Sequence, residues 1–389
     1  MDQISPERSP LPSTSVRLRE LFLLFVKLGF TAFGGPAAHI AMYRQEVVEK
    51  RKWLDEEHFL DLIGATSIIP GPNSTEIVMH LGYLRAGLPG QLVAGISFVI
   101  PAFLLVTGIA WVYKSYSATP QADALLYGIK PVIIAVILQA LWGMGRKALK
   151  GPATAAIALG AAALHFLGVN EILLLAAGGL LMLAFSSAHL FKKGGGVLIL
   201  LPLYSHQILL QKETPASLSR LFLIFLKIGS VLYGSGYVLL AFLQADLVQR
   251  LGWLNNQQLI DAVAAGQITP GPLFTTAAFV GFLLFDFPGA LVATAGIFLP
   301  SFIIVTLTNP IIPRLRDSAW TGALLDGVIA ASLGLMASVT WQLGRAALID
   351  LPAIILALVA GGLLLRYKVS SAWLVLGGAG IGLLKTLLF

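Results

Sequence analysis

Two copies of the tripeptide Pro-Gly-Pro, Pro70–Pro72 and Pro270–Pro272, begin 200 residues apart in apolar surroundings. In each copy the first proline ends one helix, the glycine permits a turn, and the second proline suits the first position of the next helix. The free amides of that next helix and the positive end of its dipole favour an oxyanion. Each motif therefore predicts an anion-binding break in an apolar helix.

The residues around the breaks differ between the two copies. After the first motif the hydroxyls of Ser74 and Thr75 add polar groups, whereas the second has Leu273 and Phe274 before its threonines. Each repeat has a second break, Gly-Gly-Pro at Gly34–Pro36 and Gly-Ser-Gly at Gly234–Gly236. We expect these breaks to converge with the Pro-Gly-Pro breaks near the membrane midplane. The alternative is that these residues only kink packed helices. The predicted anion-binding residues are Gly34, Gly35, Pro36, Ala37, Pro70, Gly71, Pro72, Asn73, Ser74, Thr75, Gly234, Ser235, Gly236, Pro270, Gly271, Pro272, Thr275 and Thr276.

Two lysines, Lys27 and Lys227, lie about 12 residues into apolar segments, which corresponds to a depth of about 18 Å in a helix. A charge at that depth is costly, so we expect both lysines to compensate the charge of a bound anion. The alternatives are that they extend to the membrane interface or pair structurally with Asp61 and Asp261.

Glu76 belongs to the first turn after the first Pro-Gly-Pro motif, where the helix dipole stabilises its charge and the apolar surroundings favour the protonated form. This balance suits a group that couples transport to protons, and Asp61 and Asp261 are the next candidates. The alternative for each is a structural, hydrogen-bonded carboxyl. His39 and His80 are possible proton relays, although packing explains them more simply.

The composition indicates a protein that lies in a lipid bilayer. Of its 389 residues 57% are hydrophobic and only 12% are charged, with a mean hydropathy of +0.84. The net charge of +7 is expected to fix membrane topology rather than to bind nucleic acid. The sequence has no cysteine, no phosphate-binding loop, no metal-ligand spacing and no paired nucleophile and base. We therefore expect neither metal nor cofactor, and no enzymatic activity.

The sequence contains two homologous halves, with residues 1–193 as the first repeat, 194–213 as a linking membrane helix and 214–389 as the second repeat. The matches fall at an offset of 200 as far as Thr75 and Thr275, and at 199 from Gly82 and Gly281 onward. In each half the arms around the two breaks have about 12 to 18 residues, too short to cross a bilayer comfortably, which favours re-entrant hairpins. The predicted spanning helices are about 89–113, 123–145, 152–168 and 171–190, with partners at about 288–311, 322–343, 350–366 and 371–388.

The distribution of basic residues predicts that the two repeats have opposite orientations. If the N-terminus is cytoplasmic, the hairpins are re-entrant and the linker spans the membrane, most lysines and arginines lie on the cytoplasmic side. The basic stretch from Arg44 to Lys52 is nearly neutral at 244–252 in the second repeat. The predicted fold is therefore an all-α, multi-pass inverted repeat, each half having two broken hairpins and about four spanning helices. The alternative, in which the broken segments span fully, would export the Arg44 stretch.

Several long segments resemble the chromate ion transporter family. They read FGGPAAHIAMYRQEVVEKRKWLDEEHFLDL (33–62), PGPNSTE (70–76), LGYLRAGLPGQLVAG (81–95) and WLNNQQLIDAVAAGQITPGP (253–272). The resemblance implies a bacterial or archaeal plasma-membrane carrier that expels chromate, driven by the proton motive force. It also implies that single-repeat members work as pairs of opposite orientation. The second repeat departs from the family motifs at Gly234–Gly236 and at Leu273 and Phe274, which argues against a symmetric substrate site.

The resulting expectation is a secondary transporter of the bacterial inner membrane that exports chromate and confers chromate resistance, with sulfate as a possible competitor. The alternatives are an uptake carrier for sulfate or another oxyanion, an anion channel, and a membrane enzyme acting on phosphorylated lipid. A homodimer is compatible with the sequence, which does not fix the oligomeric state.

Overall fold

The computed structural model describes residues 13–33, 35–66, 69–117, 119–190, 215–233, 236–308, 319–367 and 369–388. Their regular structure is entirely helical. The helices are α1 (Thr14–Thr31), α2 (Gly35–Arg44), α3 (Glu56–Thr66), α4 (Asn73–Tyr116), α5 (Pro120–Ala148), α6 (Pro152–Phe166), α7 (Glu171–Leu190), α8 (Leu218–Val231), α9 (Leu239–Leu243), α10 (Asn256–Ile268), α11 (Thr276–Thr308), α12 (Ala319–Ala347), α13 (Leu351–Tyr367) and α14 (Ser371–Leu388). The predicted linking helix, 194–213, lies outside the described residues.

Within the described part, four helical segments are long and apolar enough to cross a bilayer, namely Asn73–Tyr116, Pro120–Ala148, Leu273–Thr308 and Trp320–Ala347. The remaining predicted spans coincide with α6, α7, α13 and α14, which are apolar but shorter. Helix α6, with 15 residues, extends about 22 Å at 1.5 Å per residue, less than the thickness of a typical hydrocarbon core. The protein is therefore a multi-pass helical membrane protein whose helices differ in their reach.

The two repeats fold alike in detail. Both α2 and α9 continue into π-helical segments, Gln45–Lys50 and Gln244–Arg250. Both long central helices are interrupted, α4 at Ala86 and Gly87 and α11 at Phe285 and Asp286, where the second residue of each pair has a positive φ. The interruption therefore recurs at the sequence offset of 199, even though an aspartate replaces the glycine.

The equivalent helices α4 and α11 run antiparallel. The Gln91 side chain, near the start of the second section of α4, donates a 2.7 Å hydrogen bond to the carbonyl oxygen of Phe302, near the end of α11. At the opposite ends of the same helices, Lys114 forms a 2.7 Å ion pair with Asp286. These two contacts require that α4 and α11 point in opposite directions, as an inverted repeat demands.

The repeats also interlock. Helix α5 packs against α13 and α14 of the second repeat, and α12 packs against α6 and α7 of the first. The helices meet closely at glycines, because a Cβ on Gly128 would overlap the backbone of Gly378 and one on Gly327 would overlap the backbone of Gly178. Neither half can therefore complete its packing without the other.

Candidate functional site

The two Pro-Gly-Pro breaks contact the opposite repeat through equivalent backbone hydrogen bonds. The amide of Gly71 donates to the carbonyl oxygen of Leu232 at 2.8 Å, and the amide of Gly271 donates to that of Ala32 at 2.9 Å. Both glycines lie in the left-handed region, with φ of +141° and +94°. Ala32 and Leu232 end the helices that precede the Gly-Gly-Pro and Gly-Ser-Gly breaks. The structure therefore brings each Pro-Gly-Pro break to the start of the other repeat's second break.

The first Pro-Gly-Pro break holds a buried cluster of polar side chains. The Ser301 hydroxyl of α11 lies 3.4 Å from Glu76 Oε1 and donates to it. A Cβ on Gly71 would overlap both of these side chains. Glu76 Oε2 and the hydroxyl of Thr75 are buried with no hydrogen-bond partner. Unsatisfied buried polar atoms beside a helix N-terminus are suited to a polar ligand. We call these four residues, Gly71, Thr75, Glu76 and Ser301, the first tip.

The corresponding residues of the second Pro-Gly-Pro break are less polar. The residue in the place of Glu76 is Thr276, and the residue in the place of Ser301 is Ala102, whose Cβ would lie 2.8 Å from a Cβ on Gly271. The hydroxyl of Thr276 is buried without a hydrogen-bond partner. We call Ala102, Gly271 and Thr276 the second tip. The two tips share a backbone geometry but differ in charge and in hydrogen-bonding capacity.

The backbone around Pro72 follows the expectation for a helix start. Its carbonyl oxygen accepts from the amides of Thr75 at 2.7 Å and Glu76 at 3.0 Å, so α4 begins directly after the proline. In the second repeat, Leu273–Thr275 forms a short 3₁₀ turn before α11. Predicted residues Gly34, Gly234 and Ser235 lie outside the described residues, and the side chains of Pro36 and Ala37 are not described.

The two lysines do not reach the tips. Lys27 pairs with Glu46 at 3.4 Å, and its side chain is 60% exposed. Lys227 pairs with Asp246, and both acids belong to the π-helical segments. Sequence reasoning missed these acids, although in both repeats the acid follows the lysine by 19 residues.

The surroundings of these two ion pairs differ in charge. Glu46 also pairs with Lys50 at 3.0 Å and with Arg51 at 3.5 Å. Asp246 pairs with Arg250 at 2.7 Å, which in turn pairs with Glu171 at 2.6 Å. One glutamate therefore meets three cations around Lys27, whereas around Lys227 two acids, one of them Glu171 of the first repeat, balance two cations.

The aspartates proposed for proton coupling lie on α3 and α10, the helices that precede the two Pro-Gly-Pro breaks. Asp261 is buried in α10 and accepts a 2.9 Å hydrogen bond from the Tyr113 hydroxyl, with Lys130 at 3.8 Å. The alternative pairing of Lys227 with Asp261 is therefore not the one seen. Asp61, its counterpart in α3, is partly buried. His39 donates from Nε2 to the Ala32 carbonyl oxygen at 3.0 Å, the same oxygen that binds Gly271.

Arg85, at the end of the first section of α4, contacts chain segments on both sides of the Gly-Gly-Pro break of the first repeat. It forms a 2.8 Å ion pair with Glu20, and its carbonyl oxygen accepts from Arg17 at 2.8 Å. Its guanidinium lies 5.0 Å from the ring centroid of Trp53. The start of α1, the segment between the Gly-Gly-Pro and Pro-Gly-Pro breaks, and the segment after the Pro-Gly-Pro break therefore meet at one end of the molecule.

Within the described residues no group of three or more His, Asp or Glu side chains is arranged to hold a metal ion. The arrangement at the first tip offers a helix start, hydroxyl groups and one buried carboxyl. Such a set can hold an oxyanion and exchange a proton.

Comparison with known proteins also finds two copies of one sequence unit in this chain. A family model described as "Chromate transporter" matches residues 19–183 and again residues 219–383. The chain is 32% identical over 348 residues, 88% of each protein, to the "Probable chromate transport protein" of Synechococcus elongatus. It is 30% identical over 371 residues, 94% of this chain and 92% of the relative, to the "Chromate transport protein" of Cupriavidus metallidurans.

The "Chromate transport protein" of Pseudomonas aeruginosa is also 30% identical, over 90% of this chain and 86% of its own length. No solved structure matches. The double match and the relatives that extend along nearly the whole chain lead to one conclusion: this protein belongs to the chromate transporter family.

Proposed function

We propose that this protein is a secondary transporter that exports chromate, a tetrahedral divalent oxyanion, and thereby confers chromate resistance. The observation that carries the proposal is the first tip, where buried and unsatisfied polar atoms of Thr75 and Glu76 lie at the start of α4. Family membership supports chromate as the substrate. Sulfate has the same shape and charge, so we expect it to compete.

The substrate oxygens would be held by the backbone and hydroxyls of the four breaks, with most of the polar contacts at the first tip. Lys27 and Lys227 would supply positive charge along the approach, each sharing it with the acid of its π-helical segment. Glu76 would carry the coupling proton, because it is the buried carboxyl nearest to the bound anion. Asp61 and Asp261 are the next candidates for that role.

A flux assay on purified protein in liposomes tests the function. We expect saturable chromate flux that a pH gradient can drive against a chromate gradient, and that sulfate inhibits. Flux that does not saturate would instead indicate a channel. Chemical change of an added phosphorylated lipid would indicate an enzyme. In a separate assay on intact cells, accumulation of chromate inside the cells would indicate an uptake carrier. Protein-free liposomes prepared in parallel measure the leak.

We also propose that the protein lies in the bacterial inner membrane with a cytoplasmic N-terminus, and that its broken segments are re-entrant. The antiparallel contacts between α4 and α11 support opposite orientations of the repeats. The meeting of chain segments at Arg85 supports re-entrant hairpins, because the ends of each hairpin then lie on one side.

Single cysteines test this orientation cleanly, because the natural sequence has none. We expect Glu49→Cys and Gln249→Cys, both at exposed positions of the π-helical segments, to react with a membrane-impermeant thiol reagent from opposite faces. Gln45→Cys is the matched control and should react from the same face as Glu49→Cys. Labelling of both test positions from the cytoplasmic side would falsify the inverted arrangement.

A further inference from the structure

A buried ion pair between Lys130 of α5 and Asp261 of α10 joins the two repeats. Their charged atoms lie 3.8 Å apart, and the side chains are only 18% and 2% exposed. Lys130 lies about 15 Å from the start of α5 at 1.5 Å per residue, in the middle third of a 29-residue helix. Charges inside a membrane are costly and usually mark functional sites.

The lysine is incompletely partnered. A separation of 3.8 Å is too long for a hydrogen bond, and Asp261 Oδ1 has no hydrogen-bond partner. Oδ2 of the same carboxylate accepts from the Tyr113 hydroxyl at 2.9 Å. Asp261 therefore retains a hydrogen bond that does not involve the lysine, while the ammonium group has donors to offer to another acceptor.

Other charges near α10 are paired elsewhere or are exposed. Helices α11, α12 and α14 also pack against α10. Three of their charged residues pair outside this site, Asp286 with Lys114, Asp326 with Lys150, and Lys385 with Asp350. The fourth, Arg345, is exposed in the last turn of α12. Asp123 of α5 is exposed. Within the described residues, Asp261 is thus the main counter-charge of Lys130.

The position of the pair relates it to the second tip. Asp261 lies about two helical turns before the end of α10, which leads into the second Pro-Gly-Pro break. The Tyr113 ring packs against Phe279, one turn into α11, with centroids 5.2 Å apart. The arrangement occurs once, because the position equivalent to Lys130 in the second repeat is Ile329. The second tip, which lacks an acid, therefore follows a helix that packs against a partly buried lysine.

We propose that Lys130 is a second binding point for the transported oxyanion, and that Asp261 forms an ion pair with this lysine when no anion is bound. This inference rests on the proposed function and adds a site to it. A tetrahedral divalent oxyanion would accept hydrogen bonds from the free donors of the ammonium group. Asp261 would then move off the lysine while keeping its hydrogen bond to Tyr113. The carboxylate acts as an internal competitor of the substrate.

Competition predicts effects of opposite sign for the two partners. Lys130→Met should weaken sulfate binding about tenfold or more, because a charge-assisted hydrogen bond is lost. Asp261→Asn should tighten sulfate binding, because the competitor is removed. Lys130→Arg should retain binding. The measurement is the rise in melting temperature of purified protein with sodium sulfate, compared with sodium chloride at equal ionic strength, together with the KM for chromate flux.

The pair Lys150 and Asp326 provides the matched control. Lys150 lies two residues after the end of α5 and also joins the two repeats, at 2.6 Å, but this pair is more exposed. Lys150→Met combined with Asp326→Asn should leave sulfate binding unchanged. If Lys130→Met and Asp261→Asn both weaken binding and their combination restores it, the pair is structural and the proposal is overturned. Should either single variant fail to fold, weak binding by the folded double variant supports the proposal and normal binding overturns it. Absence of sulfate binding and of flux in the unaltered protein would instead contradict the proposed function itself.

Discussion

Replacing Glu76 with glutamine should abolish the effect of a pH gradient on chromate accumulation while leaving exchange of substrate down its own gradient. Glu76 is completely buried, and only one of its oxygens has a partner, the hydroxyl of Ser301 at 3.4 Å. A bound divalent anion beside this carboxyl favours its protonated form, which links substrate occupancy to protonation. Glutamine keeps the size of the side chain and can still accept from Ser301, but it cannot exchange a proton.

The measurement is accumulation in liposomes with and without an imposed pH gradient, beside exchange of labelled substrate at equal pH. In Glu76→Gln the accumulation ratio should fall to the value set by the membrane potential alone. Glu57→Gln, at an exposed position of α3, is the control and should behave like the unaltered protein. Retained pH-driven accumulation in Glu76→Gln would transfer the coupling role to Asp61 or Asp261.

Gly71→Ala should eliminate most transport although the protein still inserts into the membrane. The backbone of Gly71 has φ of +141°, which side chains other than glycine rarely adopt; such strain costs about 1–3 kcal/mol. The new methyl group would also overlap the carboxyl of Glu76 and the hydroxyl of Ser301, and overpacking of this kind costs about 1–3 kcal/mol more. The first tip would have to move to relieve this overlap.

Gly64→Ala is the control for this substitution, because Gly64 lies in α3 shortly before the break and a Cβ there meets nothing within 4 Å. Alanine at that helical position should increase stability by up to about 1 kcal/mol. Melting temperature in detergent and initial rate of chromate flux would both be measured. A normal rate of chromate flux in Gly71→Ala would show that the first tip does not bind the substrate during transport.

The repeat, the helical segments and the breaks could be predicted because each depends on local sequence. Prolines end helices, apolar runs set the extent of α5 and α7, and the matched spacing of the two halves shows the duplication. The predicted spans agree with the helices to within a few residues at most ends. The largest difference is that α4 and α11 each begin well before the predicted span, with a separate section that ends at the interruption ahead of Pro89 or Pro288.

The contacts between the repeats could not be predicted. That Gly71 binds Leu232 and that Ser301 reaches Glu76 depends on how α4 and α11 cross, and no local pattern encodes this angle. The acids that pair with Lys27 and Lys227 were missed for a related reason, because the turn at each break determines which side chain faces the lysine. Matched acids at equal spacing in both halves were the available signal.

The difference between the two tips has an evolutionary consequence. Two identical polypeptides joined by a two-fold axis must carry the same residues at both tips, so a glutamate at one requires a glutamate at the other. Fusion into one gene removes that constraint, since each copy then accumulates its own substitutions. Glu76 and Ser301 on one side, with Thr276 and Ala102 on the other, are a combination that only a fused gene, or two separate genes, can encode.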